Sequence, residues 1–236
     1  MSRLVVSELR VDRVHLPVVR QVSLSVESGQ ISVLLGANGA GKTTLLEGMS
    51  GVIPVAGGSI EIDGHEIQRA RPGARVAAGL AHVEQGRTVF RQLTTDENLR
   101  AGAASASEVK AAYALFPELA PRRDIHAGLL SGGEQQMLVI ARALAGRPKI
   151  LLIDEMSAGL APTIVRRLMT TVRKLADEGL AVVLVEQFAV LALGVGDRAY
   201  VLRRGKIVYD GACTELRDAP DKLHQLYLGG SGDEPT

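Results

Sequence analysis

The sequence contains Gly36-Ala37-Asn38-Gly39-Ala40-Gly41-Lys42-Thr43, and this stretch decides the fold. It matches the pattern G-x-x-x-x-G-K-[ST], whose glycine-rich backbone can surround phosphate groups with N–H donors. An apolar run at 31–35 precedes the loop and predicts a buried strand, and residues 44–49 are compatible with a helix. Because a helix N-terminus adds partial positive charge to the loop, this order of strand, loop and helix favours a nucleotide site.

The residues of this loop have separate predicted tasks. Lys42 is expected to reach the β- and γ-phosphates of ATP, and the Thr43 hydroxyl to hold Mg²⁺. A glycine-rich turn that only caps a helix is the alternative, but such a turn needs no lysine at this place. The candidate nucleotide-binding residues are Gly36, Ala37, Asn38, Gly39, Ala40, Gly41, Lys42, Thr43 and Thr44.

The composition bounds the class of protein. With 236 residues, 46% of them hydrophobic, the chain is long enough for one domain with a full core. The 27 basic and 26 acidic residues nearly cancel and aromatic residues make up 3%, so no nucleic-acid partner is expected. The single cysteine, Cys213, excludes an intrachain disulfide. No run approaches the ~20 apolar residues that span a bilayer, so work at a membrane would need separate membrane-spanning chains.

Periodicity predicts an α/β organisation. The first 65 residues indicate short strands, for example at 22–26 and 60–62. An alanine-rich region follows and predicts an inserted helical subdomain. Branched apolar runs at 150–153 and 181–185 are typical of parallel strands that are covered on both faces.

Two acids end the apolar run at 150–153. Acids at the carboxyl end of a parallel strand lie at the edge where α/β proteins bind ligands. Asp154 is therefore predicted to organise Mg²⁺, and Glu155 to polarise the attacking water. A solvated acidic pair is the alternative, and the phosphate-binding loop upstream in the same chain argues against it.

A third motif, Leu-Ser-Gly-Gly-Glu-Gln-Gln, occupies residues 130–136 and is called the signature segment below. Ser131 and Glu134 form the S-x-x-E pattern of a capping box, which predicts a helix start. Gly132 and Gly133 cost helix stability at that place. We interpret them as a second anion-binding helix start, with bare N–H groups that face a phosphate.

The order of these motifs resembles the nucleotide-binding subunits of ABC transporters, and further matches extend over about residues 4–228. The resemblance implies an ABC ATPase fold: a P-loop NTPase core with a mainly parallel sheet, an N-terminal antiparallel β subdomain and an inserted α-helical subdomain at about 86–145. It implies one ATPase domain over 1–228, and the glycine- and serine-containing residues 229–236 are expected to form a flexible tail.

The resemblance also implies a head-to-tail dimer, homomeric or heteromeric, with each ATP between the P-loop (residues 36–43) of one chain and the signature segment of the other. The residues expected to contact the other subunit's ATP are Ser131, Gly132, Gly133, Glu134 and Gln135. Gln85 looks like the family's Q-loop glutamine, which contacts Mg²⁺ or the lytic water and reports to a membrane partner. Residues 157–162 look like the D-loop, and Gln187 falls where the switch histidine usually lies.

Four positions depart from the family pattern. Gln187 can hydrogen-bond a γ-phosphate but cannot carry the proton charge of a histidine. Met156 and Ala161 replace a common proline and a common aspartate. Arg13 stands where an aromatic ring usually stacks on adenine. Its planar guanidinium could stack instead, or Arg13 is an ordinary surface residue, and we expect weaker purine discrimination.

Several stretches are similar to the smaller ATPase of branched-chain amino acid importers, namely 185–187, 159–162 and 85–99. Importers for urea or short amides share this pattern. The resemblance implies a motor subunit that hydrolyses ATP with Mg²⁺ on the cytoplasmic face of the inner membrane, held there by two membrane-spanning permease subunits and served by a solute-binding protein. Alternatives are drift within the larger family, a soluble ABC-type ATPase in cluster assembly without a membrane partner, and a P-loop kinase or GTPase, in which the signature segment would have no role.

Overall fold

The computed structural model describes residues 3–228. The strands are β1 (Arg3–Arg13), β2 (Leu16–Glu27), β3 (Ile31–Leu35), β4 (Gly57–Ile62), β5 (His65–Glu66), β6 (Leu80–Val83), β7 (Ile150–Asp154), β8 (Ala181–Val185), β9 (Arg198–Arg203) and β10 (Lys206–Ala212). The α-helices are α1 (Lys42–Ser50), α2 (Pro72–Ala77), α3 (Thr95–Gly102), α4 (Ala106–Leu115), α5 (Gly132–Ala145), α6 (Pro162–Asp177), α7 (Ala189–Val195), α8 (Cys213–Arg217) and α9 (Pro220–Leu228). The expected flexible tail, 229–236, lies outside the described residues.

The first sheet is antiparallel, with the strand order β2-β1-β4-β5, as predicted for the N-terminal β subdomain. The prediction of short strands is wrong for β1 and β2, which have 11 and 12 residues, whereas β3 and β4 have 5 and 6. The register of β1 shifts between Val6 and Leu9, and Glu8 there has φ +49°. This irregularity keeps Leu4, Val6, Leu9 and Val11 buried although it breaks the alternation of two.

The second sheet has the strand order β10-β9-β3-β8-β7-β6. Every neighbouring pair from β9 to β6 is parallel, and only β10 pairs antiparallel, at one edge. The prediction of a mainly parallel sheet is thereby confirmed. The apolar runs at 31–35, 150–153 and 181–185 are all strands of this sheet.

The two faces of the second sheet pack into different cores. Leu34 and Leu152 belong to the core shared with α1 and the antiparallel sheet. Val33 and Leu151 belong to the core shared with α5 and α6. Because both faces are covered, these strands need apolar side chains at every position, which explains their unbroken hydrophobic runs.

Between β6 and β7 the chain forms a helical region. Helices α4 and α3 pack against α5, and two 3₁₀ turns, Pro117–Arg122 and Ala127–Leu129, lie between α4 and α5. Helix α3 begins only at Thr95, so residues 86–94 of the predicted subdomain 86–145 contain no helix. The boundaries of the subdomain stay a prediction.

The parallel sheet determines where the predicted site residues lie. The P-loop follows β3, and Gln187 comes two residues after the neighbouring strand β8. Asp154 is the last residue of β7, and Gln85 comes two residues after β6. Because β3, β8, β7 and β6 are adjacent and parallel, all four segments meet at the carboxyl edge of one sheet.

Candidate functional site: a phosphate loop and two acids at one sheet edge

The loop at 36–43 has a backbone that requires glycine. Gly36 has φ +155°, and a Cβ atom there would lie 2.3 Å from the carbonyl oxygen of Leu202. Gly41, with φ +107°, is the N-cap of α1, and no side chain caps that helix. The first N–H groups of α1 are thus left without a side-chain acceptor, which is the arrangement that an anion requires.

Lys42 is buried, with 6% of the residue exposed. Its Nζ donates hydrogen bonds to the carbonyl oxygens of Gly36 at 2.9 Å and Ala37 at 3.2 Å, so the ammonium folds back over its own loop. Burial lowers the pKa of Lys42, and the nearby Glu155 and Asp154 act in the opposite direction. The structure therefore brings this predicted phosphate ligand close to both predicted acids.

Asp154 is a buried carboxylate without a conventional partner. It is 1% exposed, and neither of its side-chain oxygens accepts a hydrogen bond of normal geometry. Burial raises the pKa of Asp154, as does Glu155, whereas the nearby Thr43 hydroxyl and Lys42 lower it. A buried carboxylate in this state beside a hydroxyl is suited to a cation.

These residues fit Mg²⁺. The ion usually takes one or two protein carboxylates and completes its shell with water and substrate phosphates. Asp154 and Thr43 supply one carboxylate and one hydroxyl next to the phosphate loop. Within residues 3–228, no group of three or more His, Cys, Asp and Glu residues is arranged to hold a metal.

Glu155 lies between two neighbouring strands. Its backbone N–H donates to the carbonyl oxygen of Val185 at 3.0 Å, and its own φ is +47°, in the left-handed region. The side-chain amide of Gln85 donates to Glu155 Oε2 at 2.7 Å. The structure thus joins two residues that the sequence assigned to catalysis, across 70 positions of the chain.

The signature segment forms the predicted capping box. Ser131 Oγ accepts a hydrogen bond from the backbone N–H of Glu134 at 3.3 Å, and Glu134 accepts one from the N–H of Ser131 at 2.8 Å. Glu134 also accepts a 2.9 Å bond from Arg122. A Cβ on Gly132 would lie 2.7 Å from Arg87, and one on Gly133 would lie 3.1 Å from Ile164. Neighbouring side chains therefore limit the space at both glycines, and the predicted phosphate contact of these residues stays a prediction.

The signature segment begins α5, and the P-loop leads into α1. Helix α5 packs against α3, α4 and β6, and α1 packs against β1, β2, β6 and β7. The start of α5 lies next to Arg87 and Ile164, at Gly132 and Gly133. The predicted contact of residues 131–135 with ATP stays a prediction that requires a second chain.

Arg13 is anchored beside the P-loop helix. Its Nε donates to Thr44 Oγ1 at 2.8 Å, and its Nη2 forms an ion pair with Glu47. The side chain is still 44% exposed, so the guanidinium is held in place while part of it faces solvent. The sequence analysis did not single out Glu47. Its position three residues after Thr44, on the same face of α1, was the available signal.

Two further residues were missed. Arg87 donates to the carbonyl oxygens of Ala158 at 3.0 Å and Gly159 at 3.3 Å and so ties the segment after Gln85 to the D-loop. Glu186 is 1% exposed and precedes the exposed Gln187. An acid at the end of an unbroken apolar strand was the only signal for Glu186.

The fold and this edge of the sheet define the chain as a P-loop nucleotide-binding ATPase. A family model described as ABC transporter matches residues 19–158, and the chain belongs to that family. It is an ATP-hydrolysing subunit of a transporter. The prediction from the motifs is thereby confirmed at the level of family, fold and enzymatic activity.

Curated relatives cover nearly the whole chain. The high-affinity branched-chain amino acid transport ATP-binding protein BraG of Pseudomonas aeruginosa is 43% identical over 218 residues, 90% of this chain and 93% of that protein. A probable branched-chain amino acid transport ATP-binding protein, LivF of Archaeoglobus fulgidus, is 36% identical and covers 91% and 94%. The lipopolysaccharide export system ATP-binding protein LptB of Escherichia coli is also 36% identical and covers 90% and 91%.

Solved structures agree on the fold. A nucleotide-free ATP-binding cassette from an ABC transporter superposes with a TM-score of 0.86 at 24% identity, over 98% of this chain and 100% of that chain. The ADP conformation of an ATP-binding cassette gives 0.85 at 24% identity and the same coverage. In residues 3–228, none of the helices has the length and apolar character needed to cross a membrane.

Proposed function

We propose that this chain is the motor subunit of an importer for branched-chain amino acids, in which ATP hydrolysis drives separate membrane subunits. The observation that carries the ATPase chemistry is the meeting of Lys42, Thr43, Asp154 and Glu155 at one sheet edge. The amino acid substrate is supported by the 43% identity to BraG. LptB matches at 36% over the same share of the chain, so lipopolysaccharide export is the competing outcome of the test.

Each residue of the site has a proposed task during hydrolysis. Lys42 would leave the carbonyl oxygens of Gly36 and Ala37 and bind the terminal phosphates, where its charge offsets the negative charge that develops. Thr43 and Asp154 would hold Mg²⁺, which neutralises phosphate charge when bound. Glu155 would accept a hydrogen bond from the attacking water and orient it.

A second copy or a related ATPase completes the proposed site. Residues 131–135 of the signature segment would meet the nucleotide that the partner's P-loop binds. We propose a head-to-tail dimer that ATP brings together and that hydrolysis releases. Its attachment to two permease subunits would place the chain at the cytoplasmic face of the membrane.

Two experiments test the proposal. Purification of the tagged chain from detergent-solubilised membranes of its source organism should recover a second ATPase and two membrane proteins. A strain that lacks the gene should lose uptake of radiolabelled leucine, isoleucine and valine, and the wild-type gene, but not the Glu155→Gln variant, should restore it. Unchanged uptake together with loss of lipopolysaccharide export would assign the chain to lipopolysaccharide export instead of amino acid import. Recovery of cytosolic partners alone would overturn the transporter role.

A further inference from the structure

Glu186 is a buried acid to which the tasks described above assign no role. It follows β8 directly, and 1% of it is exposed. Burial raises the pKa of Glu186, and hydrogen bonds from Ser157 and from the backbone of Gln187 oppose that shift. Burying a carboxylate costs free energy, and such cost is tolerated most often where a polar group has a task near a site.

The two oxygens of Glu186 bind the two donors of one residue. The backbone N–H of Ser157 donates to Glu186 Oε1 at 3.1 Å, and the Ser157 hydroxyl donates to Oε2. Ser157 is itself 2% exposed and lies 29 positions away in the chain. A contact through both donors fixes the position of Ser157 and also its orientation.

This contact holds the second end of a short segment, residues 155–157, that begins with Glu155. The N–H of Glu155 is bonded to the carbonyl oxygen of Val185, and Met156 is 1% exposed. Two residues further on, Ser157 is bonded to Glu186. The chain on both sides of the Glu155 side chain is thus attached to consecutive residues at the end of β8.

The same contact joins two other segments of the site. Ser157 begins the D-loop, whose next two carbonyl oxygens, at Ala158 and Gly159, are held by Arg87. Glu186 is bonded covalently to Gln187. A displacement at Gln187 therefore has a direct route, through one buried side chain, to the D-loop and to Glu155.

We propose that Glu186 is a positioning residue for ATP hydrolysis, whose paired hydrogen bonds to Ser157 hold Glu155 in place and make the D-loop move together with Gln187. The proposal rests on the proposed catalytic role of Glu155. It predicts that loss of the contact lowers turnover and leaves ATP binding intact, because the P-loop and α1 follow a different strand.

Two variants of Glu186 separate positioning from a purely structural role. Glu186→Met keeps the volume but removes both acceptors, and we expect kcat to fall about 10²-fold, the cost of a misplacement near 1 Å, with the Kd for a fluorescent ATP analogue changed less than about threefold. Glu186→Gln can still accept from the Ser157 N–H and donate to its hydroxyl, so it should recover most of kcat. Wild-type kcat in Glu186→Met, or no recovery in Glu186→Gln, would overturn the proposal.

A second pair of variants covers the case in which Glu186→Met does not fold. Ser157→Ala removes one of the two bonds and should lower kcat about tenfold. Ser32→Ala is the matched control, because Ser32 is 1% exposed and its hydroxyl donates to Ser25 at 3.0 Å, away from the D-loop. Equal kcat values in the two variants would contradict the proposal.

Glu155→Gln, assayed in parallel, distinguishes the proposed role of Glu155 from that of Glu186. Full turnover in Glu155→Gln would overturn the proposed role of Glu155 and with it the role of Glu186. Abolished turnover in Glu155→Gln together with wild-type kcat in Glu186→Met and Ser157→Ala would overturn the positioning role alone.

Discussion

The side-chain amide of Gln85 donates a 2.7 Å hydrogen bond to Glu155 Oε2. The contact follows from the order of the sheet, because Gln85 comes after β6 and Glu155 after β7, and these two strands are parallel neighbours. One oxygen of the proposed base is thus bonded to an amide donor in this arrangement. We infer that this oxygen must exchange its partner before a water can occupy the same position.

The first prediction concerns the charge beside Glu155. Gln85→Glu would place a second carboxylate at hydrogen-bond distance from the first, and two carboxylates so close share a proton. We expect the acidic limb of the pH profile of kcat to move to higher pH, since one acid of the pair stays protonated longer. Gln85→Ala removes the amide without adding charge and should move that limb less than Gln85→Glu does, and the two profiles can be recorded between pH 5.5 and 9.

The second prediction concerns the buried Asp154. Its carboxylate has no hydrogen bond of normal geometry, so Asp154→Asn should not destabilise the nucleotide-free protein. We expect its melting temperature to stay equal or to rise by a few degrees, since about 1 kcal/mol corresponds to about 2–4 °C for a chain of this size. The additional stabilisation that Mg²⁺ gives in the presence of ATP should be lost. Thermal shift assays with and without EDTA measure both effects, and a Mg²⁺-dependent shift that persists in the variant would contradict the assignment.

The core of the site was predictable because its signals are local. The loop at 36–43 combines a motif with a strand before it and a helix after it, and Asp154 ends an unbroken apolar run. Parallel strands that are covered on both faces leave such runs in the sequence. Their carboxyl ends then meet at one edge by the topology of the fold, which brings the motifs together without further information.

The contacts that hold the site together were not predictable in the same way. Glu186 reaches Ser157 over 29 positions, and Arg87 reaches Gly159 over 72. Neither pair has a fixed spacing or a periodic pattern that a single sequence could reveal. The lengths of β1 and β2 were missed for a related reason, since a shift in register such as that near Glu8 breaks the alternation by which strands are recognised.

The third prediction concerns the base of the nucleotide. Arg13 is held by Thr44 and Glu47 and remains 44% exposed, so its planar guanidinium is available for stacking. Stacking on a base contributes about 1–3 kcal/mol, and Arg13→Ala should therefore weaken ATP binding about tenfold, while Arg13→Tyr should restore it. Because stacking does not distinguish purines, the wild-type protein should bind GTP with an affinity close to that for ATP.

Controls for Arg13 separate the base from the phosphates. Inorganic tripolyphosphate has no base, and its affinity should be the same in wild type and Arg13→Ala. Arg10→Ala removes an exposed arginine from the same strand and should leave the ATP affinity unchanged. Calorimetric titration of each ligand gives these values, and an equal loss of tripolyphosphate and ATP binding would assign Arg13 to the phosphates instead.

The last prediction concerns Gly132, because Arg87 occupies the space that a side chain at this position would need. A Cβ there would lie 2.7 Å from one guanidinium nitrogen and 2.9 Å from Cζ of Arg87, so Gly132→Ala should push the guanidinium off the carbonyl oxygens of Ala158 and Gly159. In the Arg87→Ala background the space is free, and the same change should stabilise α5 by about 0.5–1 kcal/mol through helix propensity. The two substitutions should therefore be coupled by about 1 kcal/mol, within the range measured for residues in contact. Urea denaturation of the nucleotide-free single and double variants gives this coupling.

Gly194→Ala in α7 is the matched control, because no atom lies within 4 Å of its Cβ position, and its effect should be the same with and without Arg87. If Gly132→Ala also has the same effect in both backgrounds, then Arg87 does not require glycine at the start of α5. The hydrogen bonds from Arg87 to the D-loop then do not depend on Gly132.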